Sequence, residues 1–369
     1  MIDLFIIAGE ASGDQLGEGL LQSLYEQNPK LQIQGIGGPK MRAVGMEIIF
    51  PMEELQVMGF IDVLFAFPKL IKYFYKTVNA ILKAQPKVVV TIDYPGFNLR
   101  LARTLRKKGF KGKICHYVCP SVWAWGKKRI HLMAENLDLL LSILPFEKQL
   151  FAATSLKVEY IGHPLMQKLT PQEKPEGELI AFFPGSRTKE IERNFPYFIR
   201  LIKTLQRDYP HYRYAVSVSQ EKYRPLLKKM APDLLFLTPA ELKKLKPFLA
   251  VAKSGTITLE LALQEIPTVA TYAISTLDVF LAKHIFKVSL PYYALPNLIA
   301  GKTVFPELIG PALSDERLLQ EVKNLITNPA VWNQCKTECR SVRTLLEAPI
   351  EAKSANQRSA QLILSLLKG

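Results

Sequence analysis

Residues 251–272 read VAKSGTITLELALQEIPTVATY. With Leu249 and Ala250 in front, the run to Ala252 is apolar and long enough for one buried strand. Lys253-Ser254-Gly255-Thr256 breaks it, and Ile257–Gln264 has the spacing of a helix. Strand, short polar loop, helix: this order puts the loop at a helix N-terminus. There the first backbone N–H groups lack intrahelical partners and the macrodipole favours negative charge. A phosphate suits such a place. Gly255 lets a ligand approach the backbone, and Ser254 and Thr256 add hydroxyl donors. Glu260 stands one turn past Thr256 on the same face, placed to accept hydrogen bonds from two ribose hydroxyls. The same residues also read as an ordinary Ser/Thr N-cap with Glu260 in solvent.

The pattern recurs along the 369 residues, a length that suits two α/β domains. Strands are expected at 4–7, 33–36, 87–92, 113–118, 138–144 and 159–162, then at 179–183, 214–218, 234–238, 249–252 and 267–272. The stretch LTPQEKPEGE at 169–178 lacks periodicity and reads as a linker. The expected division is an N-terminal Rossmann-like domain at 1–168 and a second at 169–349, with a C-terminal helix at 350–369 crossing back to the first. That crossing is expected within one chain or exchanged between two, giving a homodimer. The fold class is α/β, two doubly wound domains with a cleft between them.

Basic residues outnumber acidic ones 48 to 33, so an acidic partner is expected: nucleic acid, anionic membrane or a phosphorylated substrate. The start, MIDLFIIAGEASGD, carries Asp3 and no basic cluster, and reads as a first strand rather than a signal peptide. No run approaches the ~18 apolar residues of a membrane span, so a soluble or peripheral protein is expected. Four cysteines do not suggest a disulfide framework, and reduced buried thiols are expected over a zinc site.

Gly9–Asp14, GEASGD, resembles a Rossmann glycine turn, but Glu10 and Asp14 put negative charge where a pyrophosphate would lie. Gly35, Gly37 and Gly38 mark another tight loop, expected to share a cleft with the first. At 93–98, DYPGFN closes a β-branched strand: Asp93 is a candidate general base, or equally a cap for the helix that follows. PSVWAWGKKR at 120–129 mixes tryptophans with cations and suits a sugar, an acyl chain or plain core. In the second half, PGSR at 184–187 places Arg187 beside Ser186 for bidentate phosphate contact. In LPYYALPNLIAG, Asn297 either reaches a cleft or satisfies buried backbone groups. The segment 65–83, FAFPKLIKYFYKTVNAILK, has helical spacing of Phe67, Leu70, Ile71 and Phe74, interleaved with Lys72 and Lys76. It suits a membrane interface or a helix packed on the sheet with solvated lysines.

The motifs GEASGD, GIGGPKM, MGF, DYPGFN, CPSVWAWGKKR, LPFE, IGHP, PGSR, SGT and LPNLIAG occur in this order between residues 9 and 301. Together they closely resemble the lipid-A-disaccharide synthases, a type-B (GT-B) glycosyltransferase family. The resemblance implies transfer from UDP-2,3-diacylglucosamine to 2,3-diacylglucosamine 1-phosphate (lipid X) with inversion, without metal or other cofactor. It implies a peripheral protein on the cytoplasmic face of the Gram-negative inner membrane. The family's motif aspartate falls on Asp93, its arginine on Arg187, its asparagine on Asn297, and its SGT loop with the following Glu on Ser254–Thr256 and Glu260. Cys119 stands where a relative has Ser. Inversion needs a base for the acceptor's 6-hydroxyl: Asp93 first, with Glu10 and His116 behind it. Without metal, Arg187, the 254–256 backbone and Asn297 would meet the charge on departing UDP. Another UDP-sugar-dependent GT-B transferase acting on a lipid acceptor is the nearest alternative. A non-catalytic membrane adaptor or a nucleic-acid binder would explain the charge, but no nucleic-acid module is recognisable.

Overall fold

A computed structural model describes residues 2–55, 60–124, 126, 128–172, 178–274, 290–347, 349 and 353–368, with side chains of the 60–67 turns excluded. The Phe67 side chain, Met58-Gly59, Trp125, Lys127 and residues 173–177 of the expected linker thus lie outside the described residues.

The chain divides into two compact units, residues 1–164 with 346–369, and residues 165–345. The first unit runs β1 Leu4–Ala8, α1 Ala11–Gln27, β2 Ile33–Gly37, α2 Pro39–Ala43, β3 Glu47–Pro51, α3 Phe60–Ala84, β4 Val88–Ile92, α4 Pro95–Lys107, β5 Lys113–Tyr117, α5 Lys128–Asn136, β6 Leu139–Ser142 and β7 Lys157–Tyr160. Its sheet is parallel with order β3-β2-β1-β4-β5-β6-β7. Strand side chains alternate between faces, and both faces are covered, as a parallel sheet requires. Leu4, Ile6, Val88, Val90 and Ile92 pack with Leu20, Leu21 and Leu24 of α1, while Phe5, Ile7 and Val89 pack with Val78 and Ile81 of α3 and Leu101 and Leu105 of α4.

The second unit runs β8 Leu179–Phe183, α6 Thr188–Asp208, β9 Arg213–Ser217, α7 Arg224–Met230, β10 Leu235–Leu237, α8 Pro239–Lys244, β11 Leu249–Lys253, α9 Thr256–Leu263, β12 Thr268–Tyr272, α10 Leu295–Ala300, β13 Glu307–Ile309, α11 Asp315–Thr327 and α12 Pro329–Leu345. Its sheet is parallel, β10-β9-β8-β11-β12-β13. The final helix, α13 Ala355–Lys368, belongs to the first unit, where Ala355, Ala360 and Ile363 join the α1 face of its core and Gln27 Nε2 donates to Gln357 O.

Two edge strands, β3 and β13, lie where the sequence pattern suggested none. The α1 helix begins at Ala11, so Asp14 sits in its first turn instead of in a loop. Each sheet reverses its strand order once: between β1 and β4 in the first unit, and between β8 and β11 in the second. In open α/β sheets ligands bind at the carboxyl ends of strands flanking such a reversal.

Candidate functional site

In the first unit the reversal is flanked by the β1–α1 turn, with Glu10, and the β4–α4 turn, with Asp93. Both Asp93 (φ 49°) and Tyr94 (φ 48°) occupy the left-handed region. Two consecutive non-glycine residues there cost of order 1–3 kcal/mol each and persist only when their surroundings hold them. Asn98 does so: its Nδ2 donates to Asp93 O at 2.6 Å and to Ile92 O at 3.3 Å. The Asp93 N–H donates to Tyr117 O on β5 at 2.9 Å, and Tyr94 Oη donates to Leu55 O at 3.0 Å. The N-cap position of α4 is Tyr94, which makes no side-chain cap bond, so Asp93 does not stand at the cap position the sequence left open to it. Asp93 is half-buried, and burial pushes its carboxyl above the ordinary 3.8, opposed in part by the Tyr94 N–H. Glu10 is exposed at the N-cap of α1 and near enough to raise the Tyr94 phenol after burial has done so. A side chain at Gly9 would meet the Tyr94 ring at 2.6 Å, which shows how closely the two turns approach.

His116 departs from its expected role as a reserve base. It lies on β5, fully buried, with Nδ1 2.7 Å from Thr91 Oγ1. Burial lowers it to about 4, so the ring is neutral and sits inside the sheet layer.

The glycine-rich turn after β2 is closed by the protein itself. Asp14 is 2% exposed, and its Oδ1 accepts from Gly38 N (2.8 Å) and Met41 N (3.1 Å) while Oδ2 accepts from Lys40 N (3.1 Å). An internal carboxylate occupies the α2 N-terminus, so this turn does not share an open ligand cleft with the first, contrary to expectation.

The segment read as amphipathic is α3. Its later turns are core, with Val78 and Ile81 fully buried. Leu70, Ile71, Phe74 and Tyr75 instead line a cavity of about 420 Å³ with Tyr94, Gly96, Phe97 and Arg100. Lys72 and Lys76 are exposed, and Lys76 Nζ lies 5.0 Å from the Phe50 ring centroid. The four cysteines are buried free thiols.

In the second unit both expected phosphate loops line one cavity of about 370 Å³, formed by Gly185, Ser186, Arg187, Glu190, Lys253, Gly255, Thr256, Glu260 and their neighbours. Gly185 has φ 131°, and a Cβ there would lie 2.7 Å from Glu190 Cβ, so glycine is required. Glu190 Oε1 accepts from Arg187 Nη1 (3.1 Å) and Lys253 Nζ (3.2 Å), and Oε2 from Ser186 N (3.1 Å). Burial raises this carboxyl, but these donors outweigh burial and hold it below its ordinary range. Gly255 caps α9 and Thr256 is exposed at its first turn. Ser254 is 7% exposed, and its Oγ donates to Tyr293 O at 3.2 Å, so this hydroxyl ties down a neighbouring loop. Glu260 also borders a second, apolar cavity of about 190 Å³ with Leu169, Phe183, Ile257, Leu261 and Ile266. Burial raises its carboxyl, and among the described residues it has no hydrogen-bond or ion partner.

Asn297 answers to the second of its two readings. Fully buried, it donates through Nδ2 to Phe305 O and Glu307 Oε1 and accepts through Oδ1 from Val304 N and Phe305 N, all at 2.8 Å. It holds the 304–307 segment and has no valence left for a ligand. Glu190, Lys253, Tyr94 and Asn98 were missed as site residues. Each lay within a quoted motif or a few residues beyond one, but their convergence depends on which strands are neighbours.

Among the described residues no helix is long and apolar enough to cross a membrane. Residues 4–362 match the family model described as lipid-A-disaccharide synthetase. A protein named lipid-A-disaccharide synthase from Chlamydia caviae is 39% identical over 380 residues, covering 96% of this chain and 59% of its own. One of the same name from Idiomarina loihiensis is 36% identical, covering 87% and 88% respectively. The chain spans a little over half the length of the chlamydial relatives it matches. Among solved structures, an S. aureus MnaA–UDP co-structure superposes with TM-score 0.62 at 12% identity, covering 100% of this chain and 98% of that one. The glycosyltransferase of kitacinnamycin gives 0.61 at 12%, covering 99% and 98%. These two are likenesses of fold, two Rossmann-like α/β domains.

Proposed function

The chain belongs to the lipid-A-disaccharide synthetase family, and from that premise we propose that it is an inverting glycosyltransferase of lipid A biosynthesis. It joins UDP-2,3-diacylglucosamine to 2,3-diacylglucosamine 1-phosphate (lipid X), giving a β-1′,6-linked disaccharide 1-phosphate and UDP. The observation that carries the reading is that both units place their candidate residues at the point where strand order reverses.

The second unit takes the UDP donor. Arg187 and the α9 N-terminus face the 370 Å³ cavity and suit a diphosphate. Glu260, at the junction with the apolar cavity, accepts from the ribose hydroxyls, and the apolar cavity takes the base. That the S. aureus MnaA structure holds UDP on the same fold supports a nucleotide here. The first unit takes the acceptor. Asp93 removes the 6-hydroxyl proton as that oxygen attacks the anomeric carbon, and a raised carboxyl pKa makes it a stronger base than an exposed aspartate. Charge growing on the leaving diphosphate is met by Arg187 and the backbone donors at 255–257. Neither a metal nor another cofactor is required by this scheme.

The protein works as a peripheral protein at the cytoplasmic face of the inner membrane. Exposed Ile71 and Tyr75 beside Lys72 and Lys76 contact the lipid or its acyl chains, and the anionic leaflet attracts the net charge of +15. In the single chain described, α13 packs on the α1 face of the first unit.

The test is turnover of the two lipids in detergent with EDTA present, following UDP and disaccharide by mass spectrometry. Disaccharide formation is the expected result. UDP release without disaccharide would point to another acceptor, and no turnover with either lipid would refute the assignment.

A further inference from the structure

From the polar contacts inside the second unit's cavity we infer that Lys253 is a further substrate-contacting cation, which binds the diphosphate together with Arg187, and that Glu190 is the positioning residue that aims both. The inference rests on reading this cavity as the UDP site. Lys253 closes β11 immediately before the Ser254–Thr256 loop, and only 13% of its side chain is exposed. Its ammonium lies 3.7 Å from the position of a Gly255 Cβ, so the charge sits against the loop where a ligand would approach the backbone. It is held from two sides, by Glu190 Oε1 at 3.2 Å and by the Tyr272 ring, whose centroid is 4.4 Å away. An ammonium has three donors. One goes to Glu190, and among the described residues no further acceptor is present for the others. Arg187 shares the same Glu190 oxygen while 81% of its side chain stays in solvent. Two cations from different turns thus converge on one buried carboxylate oxygen at the cavity wall. That arrangement holds the inner charge, Lys253, in place before any ligand arrives, so this long side chain need not be immobilised on binding, while the exposed Arg187 supplies an outer charge.

A purely structural role for Lys253, neutralising Glu190, makes a different prediction and can be separated. Uridine and UDP affinities are measured by calorimetry for the wild type, Lys253→Met, Lys253→Arg, and the paired variant Lys253→Met with Glu190→Gln, with melting curves run on each. The expected result is a loss of about 10- to 100-fold in UDP affinity for Lys253→Met, the range of one charge-assisted contact. Uridine affinity should change less than about threefold, and Lys253→Arg should recover part of the loss. The paired variant contains no unpaired buried charge between these two positions and keeps the side-chain volumes, so it serves if the single variant folds poorly. It should remain weak for UDP. UDP affinity restored in the paired variant, or unchanged in Lys253→Met, would overturn the inference and leave the UDP site standing. A wild type that binds no UDP would overturn both.

Discussion

Replacing Asp14 by alanine should destabilise the first unit by about 2–6 kcal/mol, through backbone groups rather than through lost packing. Three N–H groups at the start of α2 end on this one carboxylate, and the bonds from Gly38 and Met41 are buried while that from Lys40 is partly so. A buried donor left without an acceptor costs about 1–3 kcal/mol. The Lys40 N–H can turn to water, so two such penalties set the range, above the ~0.5–2 kcal/mol lost with a single N-cap. Refilling by a neighbour is restricted, because Gly38 approaches so closely that a Cβ there would fall 2.5 Å from Asp14 Oδ2. Asp14→Asn should lose roughly half as much, since its amide keeps one acceptor oxygen but turns a donor toward other donors. Urea unfolding followed by tryptophan fluorescence would measure the change. A Trp332→Phe background suits it, because Trp332 lies in the second unit while Trp123 reports on the first. A domain of this size loses ~2–4 °C per kcal/mol, so in a thermal melt the first unit's transition should move down by about 4–24 °C. A loss of under about 1 kcal/mol at unchanged denaturant slope would refute the claim that this carboxylate holds the turn closed.

Asp93→Asn should lower kcat by about 10²–10⁴-fold, the usual worth of a general base, and leave UDP affinity intact. Its carboxyl is raised by burial, so wild-type kcat should fall as pH drops through that raised value. The same raised value means the charged form costs native stability, so the variant should melt no lower than wild type at pH 7. Turnover within threefold of wild type would remove Asp93 as the base. Glu147, 1% exposed and raised by burial to about 7 from 4.5, keeps its proton in the native state where the unfolded chain has lost it. Stability should therefore fall by roughly 3 kcal/mol as pH rises from 4.5 to 7 and level off above. Glu147→Gln should flatten that slope between unfolding curves at pH 5 and pH 8. Asn297→Ala should cost about 2–4 kcal/mol by orphaning buried groups of residues 304–307, seen as faster amide hydrogen exchange there.

The parts of this molecule that could be read from sequence are those where one local pattern leaves one physical solution. An apolar run that ends in Lys-Ser-Gly-Thr before a helical stretch has to be a strand feeding a helix N-terminus, and β11 and α9 are so arranged. Edge strands β3 and β13 escaped because each is short and closed or followed by Pro or Gly, with too few alternating positions to separate strand from loop. The start of α1 escaped for a different reason. Gly, Ala, Ser and Asp together resemble a loop, and what makes them helical is Asp14 reaching a turn 24–27 residues away. Site residues divide along the same line. Arg187 and Gly255 announce themselves by type and neighbours. Glu190 looks like any acidic residue on a charged helix until β8 and β11 pair and bring Lys253 to it. Asn297 is the reverse case: its residue type suits a ligand, and only its burial with four satisfied bonds shows that it serves the backbone. A buried polar side chain is therefore decided by what remains unpaired after folding. On that criterion Lys253, with donors to spare, and Glu260, whose carboxylate has no partner among the described residues, are the second unit's strongest candidates for ligand contact, and Asn297 and Ser254 are supports.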